Sequence, residues 1–168
     1  KRRWRKVRYR FEWLGVFLLA KLVPMLPRRG VVWFANFLGW SGFHLDRRGR
    51  ALAEANIAAA FGNRYSPQQR RQIARESYCQ FARTMCDLFW AKRLTRENFR
   101  RYITVENTEI LHRIRASREA AVVVCIHHGN FEWASLATGF EGVTAMIVTE
   151  RFKNPRVSKF FQECVKTL

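Results

Sequence analysis

A histidine followed five positions later by a carboxylate, His127 and Glu132, is the pair in this 168-residue chain whose types and spacing suit proton transfer. Of the four histidines only His127 has an acid at that distance; His44, His112 and His128 meet Gly49, Ser117 and Trp133 there. An imidazole in this setting would remove the proton of a hydroxyl, while Glu132 holds its other ring nitrogen. The alternative is a pair of core-edge histidines, His127 and His128, satisfied by backbone groups.

The elements around the pair must bring it together. Residues 121–126, Ala-Val-Val-Val-Cys-Ile, are a continuous apolar run without alternation, which predicts a fully buried strand of a parallel sheet. Gly129 permits a sharp turn, and Asn130 is placed to cap a helix near residues 131–138. Residues 143–149 read as a second strand and residues 102–105 as a short third. In open α/β folds ligands sit at the carboxyl ends of strands, where this reading puts His127.

The preceding sequence is helical. Residues 48–61 form an alanine-rich helix that stops at Gly62. Ser66, Pro67 and Gln69 give a cap, a first helical residue and a capping box for a helix to about Lys92. Along it Ala74, Tyr78, Phe81, Ala82, Met85, Leu88 and Phe89 form one apolar stripe, read as core. Residues 95–101 and 107–117 read as shorter helices, and a last one follows the basic stretch 150–156. The order predicts an α/β fold, a helical N-terminal region followed by β-α-β elements of a mainly parallel sheet. So few strands, and a helical pattern still running at Leu168, suggest a piece of a larger protein.

The formal charge is +18, which implies an anionic partner. Residues 1–50 hold 13 Lys/Arg against Glu12 and Asp46 and so carry +11 of it. Lys1, Arg2, Arg3, Arg5, Lys6, Arg8 and Arg10 surround Trp4 and Tyr9. The apolar run behind them, residues 11–27, is interrupted by Glu12, Lys21 and Pro24 and falls short of the ~20 apolar residues of a spanning helix. A basic cluster beside a Trp-bearing apolar segment suits a helix lying in an anionic membrane surface. A nucleic-acid arm would use the charges but not the apolar run. A signal peptide would need a small-x-small cleavage site, and none follows. Cys79, Cys86, Cys125 and Cys164 show neither metal-ligand nor disulfide spacing and read as reduced thiols in a cytoplasmic setting.

The chain resembles the bacterial lipid A biosynthesis acyltransferases, the lauroyl/myristoyl transferase family, whose active site carries a His-x4-Asp/Glu motif. The likeness runs through Met25, Leu26 and Pro27, then Leu45, Asp46, Arg47 and Arg48. It continues in Ala55, Asn56, Ile57, Ala60 and Phe61 and in residues 71–77, Arg-Gln-Ile-Ala-Arg-Glu-Ser. His127, His128, Gly129, Asn130, Phe131 and Glu132 match the active-site motif, and Arg151, Phe152, Lys153, Asn154 and Pro155 match a second basic motif. Glu150 stands where many members have Arg, a version similar to the mycobacterial phosphatidylinositol mannoside acyltransferases.

The resemblance implies a glycerolipid-acyltransferase-like fold, with residues 1–30 associating with the membrane and residues 31–168 forming the N-terminal part of the acyltransferase domain. It implies transfer of a fatty acyl chain from a thioester, acyl-acyl carrier protein or acyl-CoA, to a glycolipid hydroxyl of a lipid A precursor. His127 would be the general base and Glu132 its orienting acid, with no covalent enzyme intermediate, no metal and no cofactor beyond the acyl donor. Arg151, Lys153, Asn154 and Arg156 would bind substrate, the three cations holding its anionic groups; a solvated basic loop is the alternative for them. The implied partners are the glycolipid, acyl carrier protein and the anionic inner-membrane surface at its cytoplasmic face, without nucleic acid. Glycerophosphate-type acyltransferases, which usually carry Asp at the fifth position, and a non-catalytic basic module are the competing readings.

Overall fold

The computed structural model describes residues 2–117, 121–122, 124, 129–144, 146 and 152–166. His127, His128, Cys125, Glu150 and Arg151 lie outside the described residues. Among the described residues the fold is helical, with no strand and no sheet. The expected α/β architecture with a parallel sheet, and the glycerolipid-acyltransferase-like fold that went with it, are thereby overturned. Val122 and Val124 are 93% and 87% exposed and Met146 is 94% exposed, where buried strands had been expected. The N–H of Val143 bonds back to Thr138 at 3.2 Å instead of to a neighbouring strand. An apolar β-branched run suits a pleated, half-buried surface but does not create one; a strand needs a partner edge, while a helix closes its hydrogen bonds within itself.

Seven α-helices are described: α1 Arg2–Leu22, α2 Arg28–Leu45, α3 Arg47–Phe61, α4 Pro67–Trp90, α5 Thr108–Ser117, α6 Phe131–Phe140 and α7 Pro155–Lys166. They fall into two compact units, Leu26–Leu88 on its own and Lys1–Met25 together with Phe89–Leu168. α4 starts in the expected manner. The Ser66 N–H donates to Gln69 Oε1 at 2.8 Å, and the Gln69 N–H donates to Ser66 Oγ at 3.3 Å. This reciprocal box satisfies two backbone donors that the helix start leaves open. α3 ends at Gly62, whose φ of 55° only glycine adopts easily.

In the unit Leu26–Leu88, α2 and α4 run antiparallel in close contact. Val31, Ala35, Gly39 and Phe43 form the buried face of α2, spaced four residues apart. Arg28 forms a two-pronged ion pair with Asp87, and Arg83 Nε donates to Asn36 Oδ1 at 2.6 Å. Phe43 meets Tyr78 edge to face with centroids 5.8 Å apart. Between these pairs Gly39 lies directly against the backbone of Tyr78 and Cys79, so that a methyl group added there would overlap Cys79. Cys79 and Cys86 are free thiols. Burial pushes the Cys86 thiol up to about 11, with Asp87 adding to the effect and Arg28 opposing it. It is a packing residue, not a nucleophile.

Asp46 joins α2 to α3. Its carboxylate accepts the Gly49 N–H at 2.8 Å, capping α3, and the Tyr78 hydroxyl at 3.1 Å. The Gly49 amide first, then the Tyr78 hydroxyl, hold the carboxyl below its ordinary value of 3.8, while desolvation opposes them. Tyr78 is shifted up, mainly by desolvation and then by its bond to Asp46.

In the other unit, α1 carries an exposed stripe of Trp4, Val7, Phe11, Leu14, Leu18 and Leu22, repeating every three or four residues. Its opposite side packs. Ala20 is buried, and α7 lies against α1. The 3-10 turns Val23–Met25 and Ala91–Arg93 meet, with Arg93 Nη1 donating to Pro24 O at 3.2 Å. Residues 95–101, expected as a short helix, give only a turn that Asn98 organises by accepting the Thr95 N–H at 2.9 Å, followed by the 3-10 turn Phe99–Arg101.

Two outcomes follow from this packing. Gly39→Ala lowers stability by about 1–3 kcal/mol, because the added carbon meets backbone that cannot swing aside. Gly30→Ala, whose added carbon would meet Pro27 at an ordinary 3.5 Å, changes it little; urea midpoints compare the two. For Asp46, a folded value below the ordinary one means that its contribution is present above 3.8 and is lost as pH falls through the folded value. Asp46→Asn therefore lowers the urea midpoint at neutral pH and flattens its decline on acidification, and the two pH profiles converge at the acid end.

Candidate functional site

Glu132 stands in the first turn of α6, half-buried. The turn before it has the expected character: Gly129 has φ of 61°, and Asn130 Oδ1 accepts the Trp133 N–H at 3.3 Å as the helix cap. α6 is anchored by a buried face of Trp133, Leu136 and Ala137. Trp133 stacks on Trp90 with centroids 5.9 Å apart, and Trp90 meets Tyr102 edge to face at 5.0 Å. At the far end Phe140 packs on Phe99, and Arg100 bonds the buried Glu141 carboxylate at 2.5 Å. α6 is thus held at both ends by packed aromatic side chains, with Trp133 beside Glu132 in its first turn, which fixes the origin of the Glu132 side chain. His127, the partner expected for it, lies outside the described residues.

The second basic motif leads into α7. Lys153 and Arg156 are exposed, whereas Asn154 is 4% exposed. The Asn154 amide donates to Tyr9 O at 2.9 Å and to Glu12 Oε2 at 3.1 Å. Its Oδ1 accepts the Arg156 N–H at 3.2 Å, capping α7. Glu12 also accepts Arg8 Nε on its other oxygen at 3.1 Å. Arg8, Glu12, Phe152, Lys153 and Asn154 line a cleft of about 400 Å³. Two cations and one carboxylate leave its rim positive, which suits an anionic group. Lys153 and Asn154 are therefore brought together with α1. Arg156 and Glu132 are not among the residues lining this cleft, and Arg151 lies outside the described residues.

Arg8, Tyr9 and Glu12 went unnoticed as site residues in the sequence. The available signal was the spacing of four between Arg8 and Glu12, which puts both on one face of α1. Among the described residues no three His, Cys, Asp or Glu side chains come together to hold a metal ion. Asn154→Ala removes the bonds to the Tyr9 carbonyl and Glu12 and uncaps α7. It is expected to lower stability by about 1–3 kcal/mol, read by chemical denaturation, while Lys153→Ala leaves stability within about 0.5 kcal/mol.

A family model described as bacterial lipid A biosynthesis acyltransferase matches residues 1–164. No curated protein matches the chain. No solved structure matches it either. A match over nearly every residue, including both motif regions, decides the question of family: the chain belongs to the bacterial lipid A biosynthesis acyltransferases.

Proposed function

We propose that the chain moves a fatty acyl group from a thioester, acyl-acyl carrier protein or acyl-CoA, to a hydroxyl of a lipid A precursor in a late acylation step. The observation that carries this reading is the start of α6. A glycine turn, an asparagine cap and Glu132 follow one another within four residues, and Glu132 lies five positions after His127 in a chain of this family. His127 takes the proton of the acceptor hydroxyl, and Glu132 stabilises the imidazolium that results. The oxygen attacks the thioester carbonyl, the carbon–sulfur bond breaks, and the departing thiolate receives the proton from His127. The acyl group passes directly to the acceptor, so no metal and no further cofactor enters. Arg151, Lys153 and Arg156 hold phosphates of the acceptor or the donor, and Asn154 fixes the backbone from which Lys153 projects.

The reaction takes place at the cytoplasmic face of the bacterial inner membrane, with residues 1–30 as the associating segment. No described helix is long and apolar enough to cross a membrane. Support for a helix lying in the surface comes from the exposed α1 stripe and from Arg8, Arg10 and Lys21, which flank that stripe at about 3.6 residues per turn.

Transfer from lauroyl- and myristoyl-carrier protein to a tetraacylated lipid A precursor in detergent micelles tests the dyad. His127→Ala should lower the rate about 10²–10⁴-fold, and Glu132→Gln should lower it less while lowering the pH at which activity appears, since the imidazolium loses its stabilising carboxylate. Variants as active as the parent chain would remove the dyad from the mechanism. Transfer only to an inositol-mannoside acceptor would move the proposal to the branch that Glu150 and Arg151 resemble.

A further inference from the structure

A second cleft, also of about 400 Å³, lies on α1 away from the one lined by Lys153. Trp13 forms its centre. Phe17 lies 5.8 Å from Trp13, and Phe160 of α7 meets Trp13 edge to face at 5.9 Å. The two outer rings each carry an ammonium group. Lys21 Nζ is 6.0 Å from the Phe17 centroid, and Lys92 Nζ is 5.4 Å from the Phe160 centroid. The sequence accounts for this order. Trp13, Phe17 and Lys21 are spaced by four and share one face of α1. Lys92 arrives from the 3-10 turn that Arg93 fastens to Pro24.

Neither ammonium pairs with a carboxylate among the described residues. The rings already face the chain's own cations, so a choline or other quaternary ammonium group would be repelled where an aromatic cage would otherwise attract it. An anion is attracted by both lysines, and the three rings between them offer an apolar wall. The chemistry that satisfies both is a phosphate attached to a hydrophobic body. Lys21, three residues after Leu18 and seven after Leu14, stands where the cleft borders the exposed apolar stripe of α1, and such molecules are densely packed there if the helix lies in a bilayer surface.

We propose that this cleft binds one anionic membrane phospholipid, its phosphodiester drawn in by the positive field of Lys21 and Lys92 and its glycerol and first methylenes against Trp13, Phe17 and Phe160. The site differs from the acyl-transfer machinery and stands without it, since it concerns binding and not turnover. A lipid held there joins α1 to α7 through its own body and seats the helix at headgroup depth.

The test uses the full chain and lipid below its micelle concentration, so that one molecule is bound and no bilayer is present. Calorimetric titration with dihexanoylphosphatidylglycerol should give one saturable site. Dihexanoylphosphatidylcholine should bind roughly ten-fold more weakly, and so should inorganic phosphate. Lys21→Gln with Lys92→Gln should weaken phosphatidylglycerol by a similar factor, and Lys21→Arg with Lys92→Arg should restore it. Equal binding of the two lipids by the parent chain overturns the proposal whether or not any variant folds. So does unchanged binding in the folded glutamine variant. Displacement of phosphatidylglycerol by micromolar coenzyme A would assign the cleft to the phosphate-bearing acyl donor instead, and would equally overturn it.

Discussion

Asn154 commits both amide hydrogens to α1 and its carbonyl oxygen to the start of α7, and it does so while buried. A buried amide left unmet is penalised by its full desolvation, so the register of α7 on α1 is held by a polar group with no alternative partner in solvent. The form of this unit follows from that register. Lys153 is carried to the side of Arg8 and Glu12, and Phe160, two turns further on, is carried to Trp13. One side chain therefore sets the walls of both clefts. Glu12, which interrupts the apolar run of α1, accepts from Asn154 on one oxygen and from Arg8 on the other.

The other unit solves its packing with small side chains. α2 buries the face of Val31, Ala35, Gly39 and Phe43, and it turns Trp33, Phe37 and Trp40 outward. Trp33 and Phe37 stack on one another on that outer surface. Arg50 and Arg71 both place their guanidinium groups near the ring of buried Phe43, at 5.3 and 5.6 Å. Two positive groups thus share one aromatic ring, and Arg50 also donates to the Phe43 carbonyl at 3.2 Å. Part of the large positive charge is in this way absorbed by ring faces and backbone carbonyls instead of by carboxylates, of which the chain has few.

Local signals were the legible part of the sequence. The box of Ser66 and Gln69, the stop at Gly62, the turn at Gly129 and the cap at Asn130 were all readable, because each is decided within a few residues by backbone donors seeking acceptors. The family was readable for a related reason, since ordered short motifs need no knowledge of the fold. The sheet was misread because residues 121–126 and 143–149 carry strand-like composition, whereas a strand is decided by its neighbour. Phe81 was assigned to the core stripe of α4 and is 67% exposed, which periodicity alone does not reveal. The bond from Asn154 to α1 spans more than 140 positions, and nothing local announces it.

The pairings of α2 with α4 fall on a single antiparallel line: Arg28 with Asp87, Asn36 with Arg83, Gly39 with Cys79, and Phe43 with Tyr78. Removing or adding one residue within either helix would turn everything beyond it by about 100° and break the pairings past that point together. Substitutions in this pair of helices can be absorbed one at a time, but changes of length cannot. Insertions and deletions in this unit are thus confined to its connections, with residues 62–65 between α3 and α4 the natural place for them. Here the chain is constrained in length more tightly than in composition.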